Sequence, residues 1–506
     1  MKRWKISWAF GAALLLCASA AVAQDQKQDT SPIDPNAPLQ PLDMTPSGAG
    51  SGYANRPPAA AARGVDTVSD PQPYEPSQAT PDQNTLAGAS PFTLGSLQRT
   101  VNVFDPVISI SGVGQAVPGA PGKTVFAGNS VASGSLNFNR TWNAYRFTTL
   151  YNGGETFNLN YGAASAFFGV TSPHYQFHNL MISQQADWAR WHVLLRDDFT
   201  ASPGAAFSGQ GMGGPGLASQ FSALLGGSLA SFAQSFVPSE NINTGAAMRY
   251  RESVLGQAQY SFSRRAELTF AASIGLLHFN VPGFQNSEML EAQAGYDYLL
   301  DPWDSIAILA SYGKINYTGT GKSTTDYVGA LAYGRRITGK LAFQAAVGPQ
   351  EIQMAVPSGS GNFHLWFVSA NSALTYARRR GGVSFSFVRG LTGGSGLFLG
   401  ATSDTATASG QYQLTRHWSG SINGGYSLNY SLVPAGATSI QFNNWFAGAN
   451  LGRQIGSHLA VNFNYGALQQ NNPTGCTLLT CGGNGLQQSV GISLNLHLLP
   501  VGKEGR

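Results

Sequence analysis

In the stretch 490–498, Val490, Ile492, Leu494, Leu496 and Leu498 alternate with Gly491, Ser493, Asn495 and His497. Successive side chains of an extended chain point to opposite sides, so this is a strand with one apolar and one polar face. The same pattern recurs upstream, where Leu459, Val461, Phe463 and Tyr465 alternate with Ala460, Asn462 and Asn464. Val383, Phe385 and Phe387 alternate likewise with Ser384 and Ser386. The alternating segments exceed the ~5–6 residues usual in a sandwich and reach the ~9–11 of a membrane-crossing strand.

Composition then separates a soluble β fold from a membrane one. Only 11% of the 506 residues are charged, against about 25% in ordinary soluble domains. Beyond the first residues, no stretch approaches the ~18–20 uninterrupted apolar residues of a membrane helix. Few charges, 62 glycines and 11% aromatics fit an all-β, transmembrane, antiparallel up-and-down β-barrel, whose signal per segment is weak.

The expected organisation has four parts. Residues 1–23 read as a signal peptide, with Lys2, Arg3 and Lys5 ahead of an apolar run and Ala21-Val22-Ala23 as the cleavage site. Without those three cations the chain is nearly neutral, which gives no basis for nucleic-acid binding. Residues 24–98 hold twelve of the 26 prolines and read as a disordered periplasmic linker. It carries no binding motif and reads as a plain spacer, with attachment to peptidoglycan or a periplasmic protein as the alternative. Residues 99–498 form the barrel, and 499–506 a polar tail.

Within 99–498 the alternation gives about 18 strands. The first three are expected at 99–111, 132–139 and 144–151, and the last at 485–498. Short turns, such as those at 263–265 and 301–303, alternate with long Gly- and Ser-rich connections at 112–131, 152–173, 201–248 and 471–484. Periplasmic termini at both ends require an even number of strands, so the weak first segment, interrupted by Pro106, counts as one.

Ala258, Tyr260 and Phe262, with Ala294, Tyr296 and Tyr298, are expected to face outward. Gln257, Gln259 and Ser261 are expected to face inward, with Glu267, Glu291, Asp297 and Asp326 as possible selectivity residues in the lumen. Plain solvation by the lumen is the default for each of those carboxylates, and selectivity the further reading. Arginines near the short turns, including Arg265, Arg335, Arg336 and Arg453, are expected at the interface, where a charge costs ~0–1 kcal/mol rather than the ~2–4 of mid-depth.

Taken together, the alternation, loop rhythm and aromatic placement of 99–498 resemble porin-like outer-membrane barrels of Gram-negative bacteria. The resemblance implies passive diffusion of small hydrophilic solutes through a water-filled channel. It also implies outer-membrane lipid and the outer-membrane assembly machinery as partners. A non-conducting structural or adhesion barrel, or an export channel with a periplasmic partner, are the alternatives. The terminal aromatic residue common in such proteins is missing, since the last strand closes on Leu498.

No enzyme is expected. The chain has no nucleophile elbow, phosphate loop or zinc-helix motif, and no cofactor is implied. His174 and His178 lie four residues apart on one strand face, about 13 Å in extended chain and too far to share one ion. Cys476 and Cys481 are expected to pair in the last long loop, as exported proteins favour. In the long connection after 201, Leu217, Phe221, Leu224, Leu225, Phe232 and Phe236 recur at helical spacing. They predict a helix over 217–237 that constricts or caps the pore.

Overall fold

In a computed structural model, the described residues run from 103 to 498. They exclude the connections 119–123, 159–173, 204–247, 281–283, 356–361, 394–399, 433–440 and 472–484 and the turn positions 264, 302, 321, 379 and 416. The signal segment, the linker 24–98 and the tail 499–506 lie outside them. So do Cys476 and Cys481, and Leu217, Phe221, Leu224, Leu225, Phe232 and Phe236 with the helix expected there.

Eighteen strands follow one another. The first six are β1 (Val103–Pro118), β2 (Thr124–Trp142), β3 (Tyr145–Asn158), β4 (His174–Asp187), β5 (Trp191–Pro203) and β6 (Met248–Ser261). Next come β7 (Ala266–Phe279), β8 (Ser287–Leu299), β9 (Asp304–Tyr317), β10 (Lys322–Thr338), β11 (Leu341–Ala355) and β12 (Asn362–Arg378). The last six are β13 (Gly381–Thr392), β14 (Ala401–Gln413), β15 (Trp418–Ser431), β16 (Gln441–Ile455), β17 (Leu459–Asn471) and β18 (Gly485–His497). Each pairs antiparallel with its neighbours in sequence, and β18 pairs with β1, so the 18-stranded sheet is closed. Closure leaves no edge of unpaired backbone groups, which a chain in lipid cannot tolerate.

The expected strand count therefore holds, and the interrupted first segment is a full strand. Its bounds need correction. β1 and β2 extend through most of 112–131 and pair there from Gly112↔Ser130 to Pro118↔Thr124. β3 likewise runs on to Asn158. Glycine, serine and alanine in 112–134 mimic a loop composition, yet small side chains satisfy a ladder whose hydrogen bonds are all backbone.

The two rims differ. Short turns such as 143–144, 188–190 and 456–458 join strands at one rim, and 159–173, 204–247 and 472–484 at the other. The rows of paired residues are oblique. One row runs from Asn139, near the short-turn end of β2, through Thr148, Ser183, Arg196, Leu255, Ser273, Glu291, Gly313, Asp326 and Ile352 to Leu365. Leu365 lies near the long-connection end of β12. The strands must tilt for a sheet to close this way.

Burial sorts the faces as the alternation predicts. Val490, Ile492, Leu494, Leu496 and Leu498 are exposed on the exterior, while Asn495 and His497 are buried. Ile274, Ile308, Leu331, Val347 and Ile422 continue the exposed apolar band around other strands. An apolar surface this extensive is out of place in water and at home in hydrocarbon. At the short-turn rim the exterior turns aromatic: Tyr145 packs edge-on to Trp188, and Trp191 lies 4.7 Å from Tyr260 between ring centroids. Arg453 stands over the Trp418 ring at 5.2 Å. Amphipathic rings and cations gather where hydrocarbon meets headgroups.

Candidate functional site: the inner wall

All four carboxylates singled out in the sequence lie on the inner face, and the sheet register sorts them into two pairs. Glu267 of β7 stands opposite Asp297 of β8. Glu291 of β8 and Asp326 of β10 each pair with Gly313 of the strand between them. A β-carbon at Gly313 would lie 2.1 Å from Asp326 Oδ1. The missing side chain is thus what lets the Asp326 carboxylate lean across β9 toward Glu291. Gln350 Nε2 donates to the other oxygen of Asp326 at 3.1 Å and orients it.

Cations lie along the neighbouring strands. Arg196 of β5 and Arg251 of β6 are both buried on the inner face, and Arg249 shares the face of Arg251. Arg196 is paired within its own strand: Nε is 2.6 Å from Asp198 Oδ2, and Nη2 donates to Asp198 Oδ1 at 2.8 Å. Of the two contacts only that of Nη2 has hydrogen-bond geometry, and the close Nε approach keeps the charges together against the wall. The inner wall thus carries arginines on β5–β6 and carboxylates on β7–β10. The sequence reading omitted these arginines, although the alternation of 191–203 already places Arg196 on the inner face.

A second departure concerns polarity. The wall is not polar throughout. Toward the long-connection rim, Leu255, Met289, Ile315 and Tyr317 form one buried cluster. Ile352, Met354 and Leu432 form another, with Phe363, Leu365 and Phe367 against it. Leu391 packs on both clusters and joins them. Gly400 explains how the strands come so close. Its φ of +104° lies in a region that L side chains rarely adopt, and an added β-carbon would sit 2.9 Å from Leu432 Cδ1 and 3.2 Å from Tyr317 Oη. The tip of β14 therefore approaches β9 and β10 inside the long-connection rim.

His174 and His178 prove to face outward with separate partners. His174 Nδ1 is 2.6 Å from Glu155 Oε1, and His178 Nδ1 is 3.0 Å from the Tyr151 hydroxyl. Among the described residues, no group of three or more potential metal ligands is assembled.

A closed antiparallel sheet with an apolar exterior, an aromatic rim and a charged inner wall defines the class: a membrane-spanning β-barrel. No family model matches the chain, and no curated protein matches it. Among solved structures it is similar to OccAB2 of Acinetobacter baumannii, at 9% identity and a TM-score of 0.39, over 79% of this chain and 99% of that one. It is similar also to a BenF-like porin of Pseudomonas fluorescens, at 9% identity and a TM-score of 0.38, over 80% of this chain and all of that one (100%). OccK2 of Pseudomonas aeruginosa, solved in complex with glucuronate, matches at 9% identity and a TM-score of 0.38, over 78% and 98% of the two chains. Likeness at that level carries no functional weight, and the class rests on the sheet itself.

Proposed function

We propose that the protein is an outer-membrane channel through which small hydrophilic solutes diffuse passively. The observation that carries this reading is the charged inner wall, with Arg196 and Arg251 on one run of strands and Glu267, Glu291, Asp297 and Asp326 on the next. Ionisable groups inside a membrane are costly and cluster along ion and solute paths. A barrel of this strand number is also too wide for side chains alone to fill. The carboxylate pair over Gly313 is the part best suited to favour cations. In this reading the short turns face the periplasm and the long connections the outside, as is usual in such barrels, with both termini periplasmic. Outer-membrane lipid, the assembly machinery and a periplasmic attachment through 24–98 are the partners this reading needs. It requires no enzymatic chemistry.

One observation favours the non-conducting alternative. Met181, Ile352, Thr156 and Asn429 on the inner wall are fully covered, as in a filled barrel. Planar-bilayer recording of purified protein decides between the two. Stepwise conductance supports the channel. Its absence from protein that shows the heat-dependent gel mobility of a folded barrel leaves the structural reading.

A further inference from the structure

On the exterior, β3–β6 break the apolar band. Asp197 of β5 faces outward, since its neighbours Arg196 and Asp198 line the inner wall. It lies near the middle of its strand, at the depth where hydrocarbon tolerates charge least. Its Oδ1 is buried and makes no hydrogen bond among the described residues. Glu252 of β6 shares the outward face, two paired rows nearer the long-connection rim. Elsewhere on the outer face, Asp404 lies 3.4 Å from Arg389 and Glu351 lies 2.9 Å from His364.

Two strands earlier lie two hydrogen-bonding groups on the same face. Tyr151 of β3 and His178 of β4 bond to each other at 3.0 Å. The glycine between them is required, because a β-carbon at Gly153 would fall 2.3 Å from the Tyr151 hydroxyl and 2.8 Å from His178 Nδ1. A pair held by its own glycine presents its remaining hydrogen-bonding capacity outward.

Depth relates the two sets. With ~3.3 Å per residue, ~4.8 Å between strands and a tilt of ~40°, a residue toward the long-connection rim gains about 2.5 Å in height. Each later strand gains about 3 Å along a paired row by the same geometry. Tyr151 shares a row with Leu180 and Phe199, and so lies two rows above Asp197 but two strands before it. The offsets cancel to about 1 Å. His178 shares a row with Ala201 and Tyr250, two rows above Glu252 and two strands before it. It reaches the depth of Glu252 by the same cancellation.

We propose that β3–β6 form a two-fold interface between two copies of this chain, with the axis along the membrane normal between β4 and β5. Such an axis preserves depth and reverses strand order, so Tyr151 and His178 of each copy face Asp197 and Glu252 of the other. An isologous contact requires this kind of self-complementarity. Each of these pairs lies within about one strand spacing (~4.8 Å) of perfect opposition, within reach of Tyr and Glu side chains, and the Tyr151–His178 bond leaves one N–H or O–H to donate to a carboxylate of the other copy. Ile182 and Phe199 fill the apolar centre. The inference needs the barrel but not its conduction.

The test uses the full chain with Cys476→Ser and Cys481→Ser. Ile182→Cys, near the axis, is expected to give an oxidised dimer in outer-membrane vesicles, whereas Val490→Cys, a quarter of the way round the barrel on β18, gives none. The mass in mild detergent is expected to be that of two copies. Asp197→Leu with Glu252→Leu removes the carboxylates in favour of lipid-compatible groups. It is expected to raise the dimer dissociation constant at least tenfold while heat-dependent gel mobility stays intact. A monomeric wild type, a cross-link at Val490→Cys instead of Ile182→Cys, or a dimer indifferent to the double substitution each overturns the proposal. Conductance is read separately, so failure of the channel reading is distinguished from failure of this one.

Discussion

Nδ1 of His497, in the last strand, lies 3.0 Å from one carboxylate oxygen of Asp105, in the first strand, and 3.2 Å from the other. The pair bridges the seam where β18 closes on β1, just beyond the first backbone pair Val107↔His497. His497 is almost fully buried, and its carbonyl accepts from His458, in the turn just before the adjacent strand β17. His497→Ala is expected to remove a charge-assisted hydrogen bond and destabilise the barrel by about 1.5–3 kcal/mol. Urea unfolding followed by tryptophan fluorescence measures it. His458→Ala is expected to cost less, since its bond is to backbone and only part-buried.

Gly313 offers a way to move a carboxylate without deleting it. In Gly313→Ala the new methyl meets the far end of the Asp326 side chain, which can rotate, so the barrel is expected to fold. The carboxylate is pushed away from Glu291. Cation preference, read as a reversal potential in a salt gradient, is expected to fall, but by less than in Asp326→Asn, because the charge is displaced and not removed. Unchanged preference in both variants would detach selectivity from this pair.

The ion pair of Arg196 and Asp198 makes an opposite kind of prediction. Both groups are well covered, with side chains 3% and 12% exposed. Arg196→Met leaves Asp198 on the inner wall without its cation and is expected to cost about 3–5 kcal/mol. Arg196→Met with Asp198→Leu is expected to restore most of that stability, because the desolvation of the pair disappears with it. Equal losses in the single and double variants, by the same urea titration, would show that the pair contributes through packing alone.

Much of this architecture is legible in the sequence because a strand with one face in lipid must alternate. The exposure of Val490 to Leu498 and the burial of Asn495 and His497 follow from that requirement. Strand ends are less legible. Between 112 and 131, Gly, Ser and Ala alternate too little in polarity to mark a face, yet their backbone ladder is complete. The inner wall is harder again. That Glu291 and Asp326 flank one glycine, and that Tyr151 reaches His178, depends on the register between strands. Spacing along one strand carries no register information. The apolar clusters around Ile352 and Ile315 go unread for a related reason: an inward apolar residue and an outward one look alike until a neighbouring strand fixes the parity.

Gly400 is expected to be the least replaceable of the glycines considered. Gly400→Ala places a β-carbon 2.9 Å from Leu432 Cδ1 and forces an alanine to a φ of +104°. The backbone strain alone is of order 1–3 kcal/mol, and the contact adds to it. The leucine can rotate, but Ile352 and Met354 share its cluster, so relief there displaces neighbours. Gly456, at φ +67° in a short turn, has nothing within 4 Å of its added β-carbon. Gly456→Ala therefore isolates the cost of backbone conformation. Urea unfolding of both variants is expected to place Gly400→Ala lower in stability by about 1–3 kcal/mol, the range typical of overpacking. Equal losses would mean that the tip of β14 moves freely and that the approach of β14 to β9 contributes nothing to closing the rim.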